Sequence, residues 1–235
     1  MLINMYKREI KDLGFASISH RKDDSQINDY IRYCKVAYHK CKTFFEIKTA
    51  KVKIIIVYNE TEYKKNAKSS YYKGGTGAFL MPNVIILKSS TLMGKTTGWK
   101  KEQLVNVITN GFAKAFYCSL VGSWKPLWLS GGIAVYLMGN YHYTKSLFKK
   151  EFLDISQDRL LQFNYVKKTY SKYKQAFYPF GLIFTEYLIK KFGRKKLILL
   201  LKEFSKNPRK KNFNQSFTNV YGQSPNSLAK LFIKT

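Results

Sequence analysis

The fold of this 235-residue chain is decided by LVNVITNGFAKAFYCSL (residues 104–120), VGSWKP (121–126) and LWLSGGIAVYLMGN (127–140). Apolar residues recur at helical spacing in the first of these segments, beginning with Leu104 and Ile108, so the segment predicts a buried helix. The second segment predicts a short loop, and the third predicts another buried helix.

A line of polar side chains runs along the first predicted helix. Asn106, Asn110 and Lys114 are each four residues from the last, so they lie on one face of a helix. A helix that is buried on all sides has no use for a line of polar side chains. A helix that forms the floor of a cleft presents such a line to the solvent or to a ligand. Both interpretations stay open from the residues alone, and the polar line favours the cleft.

The two helical segments resemble the active-site helices of gluzincin-type zinc metallopeptidases, especially the peptidase-MA-like group. In that family a helix carrying HExxH is followed by a short loop and by a second helix with the pattern W-L-S-E-G-x-A-x-Y. The chain retains the scaffold positions of the second pattern, which are Trp128, Leu129, Ser130, Gly132, Ala134 and Tyr136.

The positions that would carry the chemistry of that family differ. The resemblance puts the two zinc histidines at Asn110 and Lys114, the general-base glutamate at Gly111, and the third-ligand glutamate at Gly131. An amide is a poor zinc ligand, a protonated ammonium has no lone pair to give, and glycine has no side chain. The resemblance therefore implies a pseudoenzyme without zinc or another cofactor. Its vestigial cleft comprises Asn110, Gly111, Lys114, Trp128, Gly131 and Tyr136. Two alternatives stay open there: a peptide strand binds in the cleft without being cut, or Lys114 only extends to solvent from a buried helix.

Other segments agree with this resemblance. Residues 51–59 (KVKIIIVYN) predict a strand that leads into a helix, and residues 78–89 predict two short strands with a bend at Pro82 and Asn83. In the C-terminal part, Gly193 is a predicted helix stop. Predicted helix starts there are Asn212 or Asn214, and Ser224 with Pro225.

The predicted fold is an α+β, zincin-like (gluzincin-type) domain that covers residues 1–235. Residues 1–100 form its strand-rich half with a small mixed sheet. Residues 101–235 form its helical half, with two central active-site-type helices and a helical C-terminal part. With 45% hydrophobic residues and no Pro-rich or Gly/Ser-rich linker, the chain is long enough to bury one sizeable core.

The formal net charge of +28 is the second strong signal in the sequence. Lysine supplies 36 of the basic residues and arginine 6, against 14 acidic residues, which favours a broad attractive field over bidentate contacts. We therefore expect an anionic partner, which is a nucleic acid, an acidic protein or an anionic membrane surface.

Two clusters concentrate this charge. Residues 165–174 (YVKKTYSKYK) alternate lysines with tyrosines. In such a pattern the lysines can contact the phosphates of a nucleic acid while the aromatic rings stack on its nucleobases. The candidate polyanion-binding residues are Lys167, Lys168, Tyr170, Lys172, Tyr173 and Lys174. The second cluster covers residues 190–196 and 206–211. It is a weaker indicator, because a helix end favours cations through its dipole.

Three other function classes are weighed against the pseudopeptidase. One is an active metallopeptidase with non-standard ligands, and another is a nucleic-acid-associated structural subunit. The third is a nucleotide-binding protein, since residues 89–96 (SSTLMGKT) nearly match a phosphate-binding loop. Ser89 replaces the first glycine of that motif, so Lys95 is predicted to be a surface residue in a loop before a helix. His20, His39 and His142 have no carboxylate or nucleophile at a meaningful spacing.

The sequence predicts an intracellular, cytoplasmic protein without a transmembrane segment. The first residues lack the apolar core of a signal peptide, and the three cysteines fit neither a zinc motif nor a disulfide framework. Residues 104–120 are long enough to span a bilayer, but the polar line near their middle would be costly there.

Overall fold

The computed structural model of the protein describes residues 7–49, 51–139, 148, 161 and 172–234. The chain divides into two compact units, which we call unit 1 (Met1–Phe116) and unit 2 (Tyr117–Thr235). Unit 1 contains a mixed five-stranded sheet with helices, and the described part of unit 2 is helical. The predicted α+β class is confirmed, and the assignment to one zincin-like domain stays a prediction.

The strands of unit 1 form one sheet. They are β1 (Arg8–Asp12), β2 (Ala16–Arg21), β3 (Val52–Val57), β4 (Gly77–Leu80) and β5 (Val84–Lys88). Their order is β1-β2-β3-β5-β4, in which the three central strands are parallel and each edge strand is antiparallel to its neighbour. The carboxyl ends of β2, β3 and β5 therefore meet at one edge of the sheet.

The strands form where the sequence predicts them. The apolar run in residues 51–59 becomes β3, and Pro82 and Asn83 lie in the turn between β4 and β5. In the parallel pair, Ile54 lies opposite Ile85. Successive side chains of a strand point to opposite faces, and helices cover both faces of this sheet, so the central strands read as apolar runs.

Four helices begin in unit 1. They are α1 (Ile27–Phe45), α2 (Glu60–Ala67), α3 (Ser90–Thr97) and α4 (Leu104–Val121), and short 3₁₀ turns lie at Lys68–Ser70 and Lys101–Gln103. Asn59 caps α2 by accepting a hydrogen bond from the Glu62 backbone N–H at 2.8 Å. The helix predicted from residues 104–120 is confirmed as α4.

Helices α1 and α4 pack on one face of the sheet. Aromatic rings join them, with centroid distances of 5.8 Å between Phe45 and Phe116 and 6.3 Å between Tyr38 and Phe112. Helix α2 packs on the opposite face in a smaller cluster. The buried members of that cluster are Val57, Tyr63, Ala67, Ile86 and Leu92.

The described helices of unit 2 are α5 (Leu127–Met138), α6 (Lys172–Phe192), α7 (Arg194–Ser205), α8 (Lys210–Tyr221) and α9 (Pro225–Lys234). Two predicted boundaries are confirmed: Gly193, with a φ of +85°, separates α6 from α7, and α9 begins at Pro225. The prediction that a helix starts at Asn212 or Asn214 was wrong. Helix α8 starts at Lys210 after Arg209, which provides no side-chain cap, and Asn212 in its first turn donates to the Asn207 carbonyl oxygen at 3.0 Å.

One helix in the described part of the chain, Lys101–Val121, is long and apolar enough to cross a membrane. In its apolar window 61% of the residues are buried inside the protein, as in the core helix of a water-soluble protein. The finding agrees with the expectation of no transmembrane segment among the described residues. The cellular compartment stays a prediction.

Candidate functional site

Helix α4 directs its three predicted site residues to different surroundings. Gly111 is buried, and a Cβ atom at this position would lie only 2.6 Å from Cδ1 of Ile85 in β5. Asn110 and Lys114 are half-buried and interact with other residues. The position that the family reserves for the general base therefore faces the sheet, whereas the two histidine positions share a partly accessible face.

The third-ligand position lies in α5 beside an aromatic ring of unit 2. A Cβ atom at Gly131 would lie 3.0 Å from Cε1 of Tyr178 in α6. The next residue, Gly132, is packed more tightly, because a Cβ atom there would lie 2.2 Å from the carbonyl oxygen of Gly181. Tyr178 is 41% exposed and can turn aside, but a backbone carbonyl cannot.

The retained scaffold residues of α5 have packing roles within unit 2. Trp128 is fully buried, with its ring centroid 5.4 Å from that of Phe184 and 6.0 Å from that of Phe213. The Ser130 hydroxyl donates a hydrogen bond to the Trp124 carbonyl oxygen at 2.6 Å. Leu129 and Ala134 are also fully buried, whereas Tyr136 is half-buried. These residues stabilise the helix and its packing without any need for a metal.

The described residues contain no group of three or more His, Cys, Asp and Glu side chains that could hold a metal ion. A protein zinc site needs three or four such ligands. Cys34 and Cys41 are fully buried in α1, and burial raises the pKa of each thiol to about 12. Their thiols therefore stay protonated at neutral pH, and metal ligation requires the thiolate.

A polar cleft of about 310 Å³ opens in unit 1 at the carboxyl ends of the parallel strands. It lies where ligands bind in many open α/β sheets. Its charged lining residues are Arg21 and Lys95, which are cations, and Asp23 and Asp24, which are anions. The site was missed because its residues come from three segments that are distant in the sequence.

Several polar groups of this cleft are linked to one another by hydrogen bonds. The Tyr58 hydroxyl donates to Asp24 at 2.5 Å and accepts from the Arg21 backbone N–H at 3.1 Å. Burial, followed by the hydrogen bond to Asp24, raises the pKa of Tyr58 far above its usual range. Tyr30, whose pKa burial raises to about 12, accepts from the Ser90 backbone N–H at 3.1 Å. The network links the end of β2 to Tyr58, and α1 to the start of α3.

The segment that resembles a phosphate-binding loop forms part of the wall of this cleft, through Ser89, Thr91, Leu92 and Lys95. Ser89 caps α3 by accepting from the Leu92 backbone N–H at 3.3 Å, so protein acceptors occupy the N–H groups of Ser90 and Leu92. Lys95 is exposed as predicted, but it lies inside α3 and not in a loop before a helix. That placement was wrong because the helix begins immediately after Ser89 and ends only at Gly98.

A buried lysine at the end of β5 was missed entirely. Lys88 is fully buried, and its ammonium group pairs with Glu60, donates to Thr96 Oγ1 at 3.0 Å and donates to the Lys73 carbonyl oxygen at 3.3 Å. The group also lies 4.8 Å from the Tyr63 ring centroid. All three N–H donors of the ammonium are used, so Lys88 has a structural role. The sequence did offer one signal of this residue, because Lys88 directly follows the apolar run of β5.

The predicted polyanion-binding residues cannot be placed from the structure. Lys167, Lys168 and Tyr170 lie outside the described residues, as do the side chains of Lys172, Tyr173 and Lys174.

The second basic cluster is described, and it corrects the prediction that the helix dipole favours its cations. Lys190 and Lys191 do lie in the last turn of α6. Arg194, Lys195 and Lys196, however, form the first turn of α7, where the dipole disfavours cations. Helix stability therefore does not explain why these three residues are basic.

Comparison of the chain with protein-family models and with curated proteins gave no match to either. The metallopeptidase resemblance therefore rests on the pattern in residues 104–140 and stays a prediction.

Proposed function

We propose that this chain is a metallopeptidase-like domain that holds no catalytic zinc and acts as a binding module with a strongly basic surface. In this proposal, the two-helix pattern of the family serves as a scaffold, and an anionic partner binds the protein through its charge. The protein is then a pseudoenzyme.

The observation that carries the proposal is the state of the two glycine positions. Both Gly111 and Gly131 lack a side chain, and neighbouring side chains lie within 3.0 Å of where a Cβ atom would be, Ile85 beside the first and Tyr178 beside the second. Glutamates at these positions would supply a general base and a zinc ligand in the family. Packing against Ile85 therefore fills the space beside Gly111, whereas at Gly131 the exposed Tyr178 ring has to turn aside before a side chain fits.

The charge of the chain supports the second half of the proposal. With a net charge of +28 and lysine as the main base, the protein attracts polyanions over a long range and tolerates many geometries of contact. A hydrolase for neutral peptides has no need of such a field.

The proposal predicts that the purified protein binds no stoichiometric zinc and hydrolyses no peptide. After incubation with zinc and dialysis, elemental analysis should find less than ~0.1 zinc per chain, and a fluorogenic peptide library should remain uncut. A zinc metallopeptidase of known metal content, taken through the same incubation and dialysis, serves as the positive control, because three protein ligands hold its zinc ion.

One zinc per wild-type chain, lost on Asn110→Ala and accompanied by peptide cleavage, would contradict the proposal. That result would favour the alternative of an active metallopeptidase with non-standard ligands.

A further inference from the structure

Helix α7 exposes a line of lysines on the face that it does not bury. Lys195, Leu199, Lys202 and Lys206 are exposed and follow one another at intervals of three or four residues, so they lie on one side of the helix. We call these four residues the α7 ridge. The opposite side of the helix is buried in unit 2 through Leu197, Ile198, Leu200, Leu201 and Phe204.

The described residues neutralise only part of the positive charge of the ridge. Among the described residues, Lys195 and Lys202 have no acidic partner, and Lys206 pairs with Glu203 at 2.7 Å. Residues 172–234 contain fourteen basic residues and two acidic ones. Like charges at helical spacing repel one another, so this face is less stable alone than with an anion beside it.

The start of α7 adds to this unfavourable arrangement. Its first turn is Arg194, Lys195 and Lys196, and Gly193 before it provides no side-chain cap. Cations at the N-terminus of a helix are disfavoured by the helix dipole. The residues of the first turn therefore lower the stability of α7, and an anion bound beside them would offset this effect.

We propose that the α7 ridge binds the phosphate backbone of a nucleic acid, an inference that rests on the proposed function of a basic binding module. From Lys195 to Lys206 the helix rises about 17 Å. A duplex offers one negative charge about every 1.7 Å of its axis, so all three lysines can meet phosphates at once. Lysines contact phosphates as point charges without reading bases, so binding is independent of sequence.

Two observations select this partner over others. Leu199, which is 52% exposed, is the single apolar residue of the ridge, whereas a helix that lies in a membrane interface buries a broad apolar face. The aromatic faces nearby are covered by cations: Lys191 Nζ lies 5.4 Å from the Tyr187 ring centroid, and Lys196 Nζ lies 5.4 Å from that of Phe192. Bases therefore do not stack there, and the duplex binds at least as tightly as a single strand.

The test compares two variants that each lose three positive charges. The ridge variant carries Lys195→Gln, Lys202→Gln and Lys206→Gln. The control variant carries Lys35→Gln, Lys40→Gln and Lys42→Gln, which change exposed lysines of α1 in unit 1. Binding to a fluorescein-labelled 20-base-pair duplex is measured by anisotropy over a series of KCl concentrations. Circular dichroism and thermal melts establish that both variants are folded.

The ridge variant should lose at least about tenfold in affinity at 100 mM salt, and the slope of log K against log salt should become shallower by about 2 to 3. The control variant should keep the slope of the wild-type protein. Equal losses in the two variants would overturn the proposal, as would a wild-type protein that does not bind the duplex.

Vesicles containing phosphatidylserine provide a second arm of the test. Binding to vesicles that the ridge variant loses, without binding to DNA, would assign the ridge to membranes and overturn the nucleic-acid proposal. Zinc content and peptide cleavage are measured separately. The nucleic-acid proposal can therefore be refuted while the proposed zinc-free function stands. Conversely, zinc binding and peptide cleavage would refute the proposed function whatever the ridge binds.

Discussion

At Gly111 the missing side chain sets how closely α4 approaches the sheet. Three atoms of Ile85 lie 2.6, 2.9 and 3.2 Å from the place where a Cβ atom would be, and Ile85 is itself buried. The sequence shows that the general-base position is empty. It does not show what fills the space, because Ile85 comes from a strand that is distant along the chain.

We predict that Gly111→Ala destabilises the protein by about 1 to 2 kcal/mol, because overpacking a core outweighs the gain in helix propensity. Urea unfolding measures this change. In an Ile85→Ala background the obstructing atoms are gone, so the same substitution should stabilise the protein by about 0.5 to 1 kcal/mol.

Gly94 in α3 is the matched control for this prediction. A Cβ atom there would be 3.8 Å from its nearest neighbour, the Trp99 carbonyl oxygen, so Gly94→Ala should stabilise the wild-type protein by about 0.5 to 1 kcal/mol. If Gly111→Ala also stabilised the wild-type protein, the close packing of α4 on β5 would be refuted.

Among the elements, helices α5 and α6 cross at two glycines. A Cβ atom at Gly132 would lie 2.2 Å from the Gly181 carbonyl oxygen, and one at Gly181 would lie 2.4 Å from the Trp128 carbonyl oxygen. The two backbones therefore meet almost directly, and the buried aromatic residues of unit 2 pack beside this crossing.

We predict that Gly132→Ala costs at least ~3 kcal/mol, because backbone atoms must move to admit the methyl group. Gly131→Ala, one residue away, should cost less than about 1 kcal/mol, since Tyr178 is exposed and can rotate. Thermal melts of the two variants give the comparison, and similar melting temperatures would show that the crossing is looser than described.

Element by element, the sequence predicted β3, β4, β5, α4 and the start of α9, because periodicity, proline and glycine act locally there. It misplaced the start of α8, because Arg209 before the helix is not one of the capping residues that mark a helix start in a sequence. It also missed the cleft and Lys88, since both are assembled from segments far apart in sequence. The positions that the resemblance assigns to catalysis come from a sequence pattern alone, and their surroundings depend on packing that a pattern does not contain.

For the molecule as a whole, buried tyrosines set an alkaline limit to stability. Burial, followed by the charge of Glu60, raises the pKa of Tyr63 to about 12. Between pH 10 and 12 the unfolded chain therefore loses a proton that the folded chain keeps. Folded protein thus binds more protons, and the free energy of unfolding falls by up to about 1.4 kcal/mol per pH unit for each such residue.

Tyr63→Phe tests this limit with little other disturbance. Among the described residues the Tyr63 hydroxyl is buried and has no hydrogen-bond partner, so its removal should leave stability at pH 7 unchanged or higher. Above pH 10 the variant should lose stability less steeply than the wild-type protein. Urea unfolding at pH 7, 10 and 11.5 measures both effects, and parallel curves would contradict the assignment.

The three cysteines, Cys34, Cys41 and Cys118, are all buried, and none forms a disulfide bond. An alkylating reagent can reach them only when the surrounding structure opens, so the rate of thiol modification reports how often it opens. Two of these thiols lie in unit 1 and one in unit 2. Each unit therefore contains a natural thiol that reports its opening. Pulsed alkylation followed by mass spectrometry shows whether the two units open together or separately, and no probe has to be engineered into the chain.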